Sequence, residues 1–403
     1  MNVTVATKEI LAIHGGMPVR KTLLPYGRQS IDESDIQAVV DTLRSDWLTT
    51  GPKIAEFEET FAAWVGAKYA VSFSSGTAAL HAAAFAAGLK PGDEAITSPL
   101  TFAATANCVL YQGATPIFAD VSPDTLNLDP EKATACVTPR TKAILPVDYA
   151  GHPADLEHVS EIAERHGLTV IEDACHALGA EYRGRRVGGL SHMTVFSFHP
   201  VKHLTTGEGG MVTTDNARFA ETLRRFRNHG ISSEARQRQT AGQWQYDMVL
   251  LGFTYRLTAL GCALGLEQLK KLEPNLARRR KIAARYNAAF REIRGVNPPS
   301  IRSDVNPAWH LYPISLDFSV LSAGRGEVFS ALRAENIGVN VHYIPVHRHS
   351  YYRDRFGYKG GEYPVAEAAY ERLISLPMFH GMSDDDVDDV VKAVTKVVAA
   401  FGR

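Results

Sequence analysis

Short apolar segments alternate with helical ones through much of the chain, and this alternation constrains the fold more than any other feature. We predict strands at Tyr69 to Phe73, Glu94 to Thr97, Thr115 to Val121, Ala143 to Val147 and Leu168 to Ile171. We predict helices between them at Thr77 to Leu89, Phe102 to Gln112 and Asp155 to His166. Strands that are apolar throughout and separated by helices form a largely parallel sheet covered on both faces. The sequence therefore predicts an α/β domain.

The character of the chain changes after Gly252. Two long helices are predicted at Thr258 to Leu272 and Leu276 to Arg294, separated at Pro274, and Pro298-Pro299 marks a linker. Strands near His310 to Leu316 and Gly338 to His342, with helices near Arg325 to Glu335 and Asp384 to Ala400, predict a smaller α+β unit. The predicted organisation is an N-terminal arm at 1–30, a large α/β domain at 31–274, and an interdomain helix with a small C-terminal domain at 275–403.

The charge balance and the cysteines argue against several classes of protein. Across 403 residues, 43 Lys and Arg against 44 Asp and Glu give a formal net charge of -1. Nucleic acids and membrane surfaces are normally bound through a basic field, so neither is an expected partner. Four cysteines without a CxxC pair predict neither a disulfide scaffold nor a metal site. Lys8 and Glu9 make the N-terminus a poor signal peptide, so a cytoplasmic location is expected.

Small residues follow the first predicted strand of the sheet, at the edge where ligands bind in open α/β sheets. The stretch Ser74-Ser75-Gly76-Thr77 opens a helix, so backbone N–H groups and the helix dipole could hold an anion there. Phe102, beyond the next strand, could lie flat on an aromatic ring. An ordinary N-cap with a packed glycine and a core aromatic are the structural alternatives.

Three charged residues follow later strands of the same predicted sheet. Asp173 comes just after Leu168 to Ile171, where a carboxylate requires a partner, and Asp148 is a weaker case of the same kind. Lys202 follows an apolar strand that begins near Thr194. A lysine that loses hydration there has a lowered pKa and can attack a carbonyl. Taken singly, Asp173 could be an N-cap and Lys202 a solvated loop residue.

Together these strand ends supply an anion cradle, a flat ring, a buried carboxylate and an amine. The ligand that would use all four is a phosphorylated aromatic aldehyde with a basic ring nitrogen. Pyridoxal 5'-phosphate has this chemistry.

Three motifs resemble the DegT/StrS family of nucleotide-sugar aminotransferases, which belongs to fold-type I of the pyridoxal-phosphate enzymes. They are Asp173 with His176, Ser197 with Lys202 in the pattern SFHxxKxxTTGEGG, and Arg227-Asn228-His229-Gly230. The likeness runs from Trp47 to about Met378. Within the family, residues 196–210 and 341–347 are most similar to the UDP-4-amino-4,6-dideoxy-N-acetyl-altrosamine transaminases of pseudaminic acid synthesis.

The resemblance implies a role for each matching residue at the cofactor. Lys202 would form a Schiff base with the cofactor and then move a proton, and Asp173 would keep the pyridine nitrogen protonated. His176 would lie near the phenolic oxygen and Phe102 on the ring. The resemblance assigns the phosphate to Gly76, Thr77 and Ser197, together with Asn228 from a neighbouring subunit. That last assignment implies a homodimer with shared active sites.

The sugar-nucleotide cleft is assigned less directly. The resemblance places Thr49, Thr50, Tyr255, Arg256 and His342 at its border. The sequence departs from the family pattern close by, with Thr254, Ala259 and Gly261-Cys262 where Asn, an acidic residue and Gln-Ala are common. These departures bear on substrate contacts and leave the cofactor residues intact.

The function implied is transfer of an amino group from L-glutamate to a nucleotide-linked 4-keto-6-deoxy sugar. Lys202 is not replaced by the His of the family's dehydratase branch, which favours amino transfer. The alternatives are an aminotransferase for another keto sugar or a cyclitol, a non-catalytic regulatory protein that keeps the fold, and a nucleotide-binding oxidoreductase.

Overall fold

The computed structural model describes residues 9–233, 238 and 240–403, so the first eight residues of the predicted arm lie outside the described residues. The strands, in chain order, are β1 Tyr69–Phe73, β2 Glu94–Thr97, β3 Thr115–Phe118, β4 Thr141–Leu145, β5 Thr169–Asp173, β6 Glu181–Tyr182, β7 Arg185–Arg186, β8 Met193–Ser197, β9 Gly210–Thr214, β10 Val296–Asn297, β11 Val305–Asn306, β12 Tyr312–Leu316 and β13 Leu373–Leu376.

The α-helices of the described part begin and end as follows: α1 Glu33–Leu43, α2 Pro52–Val65, α3 Gly76–Ala86, α4 Ala103–Tyr111, α5 Pro130–Ala135, α6 Leu156–His166, α7 Ala217–Phe226, α8 Ala259–Lys270, α9 Leu272–Phe290, α10 Arg325–Ala334, α11 Ser350–Phe356, α12 Pro364–Arg372 and α13 Asp384–Phe401. Short 3-10 turns lie at Ala12–His14, Tyr149–Gly151 and Val346–Arg348. Among the described residues, no helix has both the length and the apolar character needed to cross a membrane.

The central sheet has seven strands in the order β1-β9-β8-β5-β4-β2-β3. The pairs from β3 to β8 are parallel, whereas β9 runs antiparallel to both β8 and β1. All strands but β9 therefore point the same way, which confirms the mostly parallel sheet predicted from the sequence. Because these strands end on one edge, the segments that follow them meet there.

Both faces of this sheet are covered, which explains why its strands are apolar throughout. Neighbouring residues of β8 show the two sides: Val195 packs into a core with α3, α4 and α7, whereas Phe196 packs into a second core with α2 and α8. In the second core, the ring of Phe57 in α2 lies against Phe198, just after β8, and the ring of Phe61 lies against Phe196 in β8.

Helix α3 lies close to the sheet because its side chains are small. Ala79, Ala82, Ala83 and Ala84 are fully buried, as expected for a helix that is apolar on all sides. The hydroxyl of Ser75 caps the helix by accepting the backbone N–H of Ala78 at 3.1 Å. The helix therefore begins one residue before the predicted Thr77.

The C-terminal part has its own core and its own sheet, in the order β10-β12-β13. The strand predicted at Gly338 to His342 is wrong: only Asn340 forms an isolated bridge, to Ser375 of β13. The chain leaves the sheet here because Asn340 and the three residues after it line a cleft instead. Strand β13, which follows α12 without a turn residue, was not predicted.

Helix α9 connects the two halves of the molecule. Its first turns pack into the core of the large sheet through Leu272 and Leu276, and its later turns pack into the C-terminal core through Tyr286 and Phe290. Pro274 lies in its first turn, where a missing backbone N–H removes no helical hydrogen bond, so the helix begins before the proline. The division after residue 274 stays a prediction.

The described part of the N-terminal arm packs on the C-terminal core. Leu11 and Leu24 are buried in that core, and Leu24 bridges to Ile337. Glu335, fully buried, accepts the backbone N–H groups of Ala12 and Val19 at 2.9 Å each and forms an ion pair with the buried Lys396 at 2.9 Å. One carboxylate thus fastens the arm to the end of α10 and to α13.

Replacing Glu335 by Gln is expected to lower the free energy of unfolding by about 3–5 kcal/mol, because Lys396 would keep a buried charge without its partner. The measurement is urea unfolding, together with the rate of trypsin cleavage at Arg20 and Lys21 of the arm, which should rise. Glu371→Gln is the control, since its ion pair with Arg348 is at the surface and should contribute less than about 1 kcal/mol. Equal effects of the two variants would contradict the assignment.

Candidate active site

A cleft of about 560 Å³ lies beyond the carboxyl ends of β5 and β8, between the large sheet and the segment that precedes α11. The structure brings together in it eight of the residues predicted from the sequence: Gly76, Thr77, Phe102, Asp173, His176, Ser197, Lys202 and His342. They come from distant parts of the chain and meet because their strands end on the same edge.

One end of the cleft is shaped to hold an anion. A Cβ on Gly76 would lie 2.9 Å from the Cβ of Ser197, and a Cβ on Gly210 would lie 2.5 Å from the carbonyl oxygen of Ser75. Both glycines are therefore needed for the close approach of β8, β9 and the start of α3. The same geometry leaves the N-terminus of α3 open to the cleft, where free backbone N–H groups and the helix dipole favour a phosphate.

Asp173 ends β5 with its side chain almost fully buried. One carboxylate oxygen accepts the hydroxyl of Thr105 at 2.6 Å and the other accepts the backbone N–H of Cys175 at 3.2 Å. These contacts fix the carboxylate where it lines the cleft, and the oxygens keep lone pairs for a further donor such as a protonated ring nitrogen.

Two more carboxyl groups lie close to Asp173, and both are fully buried. Burial, followed by the neighbouring Glu172, raises the pKa of Asp148 well above its ordinary value, and burial also raises the pKa of Glu172. Asp148 accepts the backbone N–H of Ala154 at 2.8 Å, and Glu172 accepts the hydroxyl of Thr194 at 2.9 Å. The pair is therefore part of the sheet's interior, and the prediction of Asp148 as a ligand-facing residue has no support in its position.

Lys202 lies in the loop between β8 and β9, with its Nζ 3.3 Å from Nε2 of His310. The loop is held by hydrogen bonds to the carbonyl of Phe198 from the N–H of Thr206 and the hydroxyl of Thr205, both at 3.1 Å. Burial lowers the pKa of Lys202, although the nearby Cys175 and Asp173 oppose this effect. The amine is thus closer to its neutral, nucleophilic form than an exposed lysine would be.

The histidines around Lys202 are buried and have lowered pKa values. Burial is the largest cause for His176 and His310, followed by the charge of Lys202, and burial lowers the pKa of His342 to about 4. His176 Nε2 is 2.9 Å from the hydroxyl of Tyr343, and its ring lies 4.4 Å from the ring of His310. At neutral pH these imidazoles are uncharged hydrogen-bonding groups.

Sequence reasoning missed three residues of this site. Thr105, which orients Asp173, lies in the first turn of α4 and belongs to no motif. His310 lies two residues before β12. Tyr343 directly follows the predicted strand that ends at His342 and belongs to the stretch 341–347, whose resemblance noted above gave no role to Tyr343. The histidine and the tyrosine come from the part of the chain beyond the large sheet, so strand-end reasoning alone could not place them here.

Phe102 lies at the mouth of the cleft and is 60% exposed. It caps the start of α4, and its ring centroid is 6.1 Å from that of Tyr343. An aromatic side chain left this exposed beside a cleft is available to a planar ligand, so the alternative of a core aromatic is excluded.

Four of the predicted substrate-binding residues, and Asn228, do not reach this cleft. Thr50, Asn228 and Arg256 line a second cavity of about 540 Å³ on the same chain. Arg256 donates to the side-chain oxygen of Asn228 at 2.7 Å. Tyr255 stacks on Phe253, with ring centroids 4.9 Å apart. Thr49 precedes Thr50 and lines neither cavity.

The departures from the family pattern lie beside this second cavity. Thr254 forms a bridge with Asn228, and the backbone N–H of Ala259 donates to the carbonyl of Leu48 at 3.0 Å. The N–H of Gly261 donates to the Thr258 hydroxyl that caps α8. Thr254 and Ala259 therefore fix the backbone beside Asn228 and Leu48, and Gly261 takes part in the cap of α8.

A group with metal-binding chemistry lies elsewhere, at His347, Glu362 and Glu367. Its carboxylates already accept backbone N–H groups: Glu362 from Lys359 and Gly360, and Glu367 from Gly361. These bonds account for the cluster as the anchor of a loop.

Comparison with known proteins identifies the family. Residues 29–395 match the DegT/DnrJ/EryC1/StrS aminotransferase family. This chain belongs to that family. The spore coat polysaccharide biosynthesis protein SpsC of Bacillus subtilis (strain 168) is 47% identical over 381 residues, which is 94% of this chain and 98% of SpsC.

Solved structures agree over nearly the whole chain. PseC of Helicobacter pylori, an aminotransferase involved in the biosynthesis of pseudoaminic acid, has a TM-score of 0.87 at 32% identity and covers 94% of this chain and 100% of PseC. Spr1654 of Streptococcus pneumoniae, named as a sugar aminotransferase, has a TM-score of 0.89 in its PMP-form and 0.88 in its PLP-form, at 30% identity over 94% of this chain and 99% of Spr1654. The chain is a pyridoxal-phosphate-dependent aminotransferase of fold-type I, which confirms the predicted fold, cofactor and reaction class.

The residues present fit this cofactor. The close approach of Gly76 and Ser197 suits its phosphate, the acceptor oxygens of Asp173 suit a protonated pyridine nitrogen, and the Lys202 amine suits its aldehyde. His176, whose Nδ1 is buried without a hydrogen-bond partner among the described residues, has a free position for a ligand oxygen.

Replacing Gly76 by Ala is expected to weaken binding of pyridoxal 5'-phosphate at least about tenfold, because the added methyl group forces Ser197 and the start of α3 apart. The measurement is equilibrium titration of the cofactor, followed by absorbance. Gly326→Ala is the matched control, since a Cβ there meets nothing within 4 Å. Equal affinities in the two variants would remove Gly76 from the phosphate site.

Proposed function

We propose that this protein transfers an amino group from L-glutamate to the keto group of a nucleotide-linked 4-keto-6-deoxy sugar, in amino-sugar synthesis of the pseudaminic-acid type. The observation that carries the proposal is the meeting of Lys202, Asp173 and the Gly76–Ser197 cradle in one cleft. The similarity to PseC over the whole length of that protein supports the class of substrate. The similarity to SpsC supports a role in polysaccharide synthesis.

When bound, pyridoxal phosphate supplies an aldehyde that accepts the donor's amine and a ring that withdraws electrons from the carbon that loses a proton. In the proposal, Lys202 Nζ takes up and returns that proton, for which its lowered pKa is suited. Asp173, oriented by Thr105, accepts the N–H of the ring. Thr77 and Ser197 bind the phosphate at the start of α3.

The proposal assigns the remaining predicted residues to the walls of the cleft. Phe102 covers one face of the ring from the mouth of the cleft, where its side chain is exposed. His176, held by Tyr343 at 2.9 Å, donates to the phenolic oxygen. His342, whose Nδ1 is 2.9 Å from the hydroxyl of Ser375, borders the sugar. Each of these roles uses a neutral side chain, so the charge of the substrate is met by other groups.

We further propose that a cytoplasmic homodimer completes the active site. Within one chain, Thr50, Asn228 and Arg256 line a different cavity from Lys202, so they can serve the cofactor and the sugar only in the cleft of a second copy. Large apolar side chains are exposed close by in sequence, with Trp244 at 81%, Leu251 at 75% and Met248 at 61%. Such a strip is typical of a surface that is covered by another subunit.

The reaction is tested by supplying L-glutamate with a panel of keto compounds: UDP- and dTDP-linked 4-keto-6-deoxy sugars, a 3-keto sugar and a keto-inositol. We expect amination of a nucleotide-linked 4-keto-6-deoxy sugar, with turnover falling by at least about a thousandfold in Lys202→Ala because the covalent amine is lost. Borohydride reduction and peptide mapping should place the cofactor on Lys202.

Each arm of this test has a distinct adverse result. Cofactor on another lysine, or normal turnover of Lys202→Ala, would contradict the assignment of the amine. Amination of the keto-inositol alone would leave the amine chemistry in place and replace the sugar by a cyclitol. Binding of cofactor without loss of its absorbance on adding glutamate would favour the non-catalytic alternative.

The shared site predicts that two inactive variants complement each other. Asn228→Asp keeps the hydrogen bond from Arg256 but sets a negative charge against the phosphate, so it should weaken cofactor binding in the partner's cleft. A heterodimer of Lys202→Ala and Asn228→Asp chains, purified with two different tags, should recover about half of the wild-type activity, because one of its two sites is native. A heterodimer with no recovery would place Asn228 in its own chain's site.

A further inference from the structure

His310 is a buried residue within hydrogen-bond distance of the amine of Lys202. Its Nε2 is 3.3 Å from Lys202 Nζ, and its imidazole is only 5% exposed. The other ring nitrogen, Nδ1, has no hydrogen-bond partner among the described residues. The only polar contact of this ring in the described part of the chain is therefore the one with Lys202.

The unpartnered nitrogen indicates where the proton of the imidazole lies. A neutral imidazole carries one N–H and one lone pair. Buried N–H groups without an acceptor are rarer in proteins than buried acceptors without a donor. The N–H of His310 is therefore assigned to Nε2, which has a partner within the chain, and the bare lone pair to Nδ1, which has none. The unpartnered Nδ1 of His176 differs because the proposed function gives it an acceptor, the phenolic oxygen of the cofactor.

The surroundings of His310 keep it neutral. The charged and titratable groups with the largest effect on His310 are Lys202, His176, His203 and Arg279, and all four are bases. The acids Asp173 and Cys175 line the same cleft and act on Lys202. Burial and the four bases lower the pKa of His310 well below its ordinary value. Arg279 is itself buried and donates to the carbonyls of Trp309 and Met378, at 3.0 and 2.9 Å. It thus fixes the backbone on which His310 is carried.

We propose that His310 is a positioning residue for Lys202, donating its Nε2–H to the lone pair of the free amine and so directing that amine into the cleft. The proposal rests on the proposed function only in that Lys202 must react with a carbonyl. A neutral donor at this place favours the neutral amine, because an ammonium group has no lone pair to offer. Lys202 is also faced by Asp173 and Cys175, which favour its charged form. The hydrogen bond from His310 opposes this effect, because it favours the neutral form of Lys202.

The first test examines the hydrogen bond from His310 to Lys202 in the wild-type protein. Ring 15N NMR of the full-length protein labelled at histidine nitrogen should show His310 protonated at Nε2 and bare at Nδ1, unchanged between about pH 6 and pH 8. The signal is identified by its loss in His310→Gln. A proton on Nδ1, or titration within that range, would overturn the proposal.

The second test measures how fast the amine of Lys202 attaches pyridoxal 5'-phosphate in cofactor-free, full-length protein, followed by absorbance. His310→Gln places an amide N–H near the position of Nε2 and should stay within about threefold of the wild-type rate. His310→Asn places its amide near Nδ1 and should be slower by about tenfold, as expected for one lost hydrogen bond. His152→Gln, at a buried histidine outside the cleft, is the control and should match wild type.

The outcomes separate this inference from the proposed function. If His310→Asn reacts as fast as wild type, or if His310→Gln is as slow as His310→Asn, the positioning role is wrong while the chemistry of Lys202 stands. If the wild-type amine attaches no carbonyl compound, the proposed function itself fails, whatever the NMR spectra show.

Discussion

The pairing of β5 with β8 is the constraint on which the site depends. In this parallel pair Asp173 lies opposite Val195, so the carboxylate ends its strand two residues before Ser197 ends the next one. A slip of one residue would turn Asp173 to the other face of the sheet. Val195 and Phe196 pack into different cores, so such a slip would also exchange their environments. The hydrophobic effect thus fixes the distance between the acid and the loop that carries the amine.

Three carboxyl groups, those of Asp148, Glu172 and Asp173, lie close together at this edge of the sheet, and their environments differ. Asp148 and Glu172 are fully buried, and burial raises the pKa of both, so their charged forms are disfavoured behind the cleft. Asp173 instead has a hydroxyl and a backbone N–H as donors and lines the cleft. The same chemical group is therefore part of the interior in two places and lines the cleft in the third, and its position relative to the end of the strand makes the difference.

Strand-end reasoning predicted the half of the site that belongs to the large sheet. Asp173 and Lys202 each follow an apolar strand, so their positions could be inferred from local pattern alone. His310 and Tyr343 could not, because they reach the cleft through the packing of α9 and the C-terminal core, which joins residues far apart in the chain. The failure of the predicted strand at Gly338 to His342 has the same origin: its alternating apolar residues fit a strand, but the segment is used to line the cleft. Glu335 was likewise invisible, since its partners Ala12, Val19 and Lys396 come from both ends of the chain.

The residues proposed for the amine chemistry and most of those proposed for the sugar lie at two different places on one chain. In the proposed function, the groups assigned to the proton and the phosphate, except Asn228, line one cleft at the edge of one sheet. The residues proposed at the sugar, apart from His342, lie beside a second cavity where the sequence departs from the family pattern at Thr254 and Ala259. Discrimination between sugars that differ in one hydroxyl depends on a few polar partners rather than on the reacting groups. If the proposed assignments hold, changes around the second cavity would alter the sugar accepted and would leave the chemistry proposed for Lys202 and Asp173 unchanged.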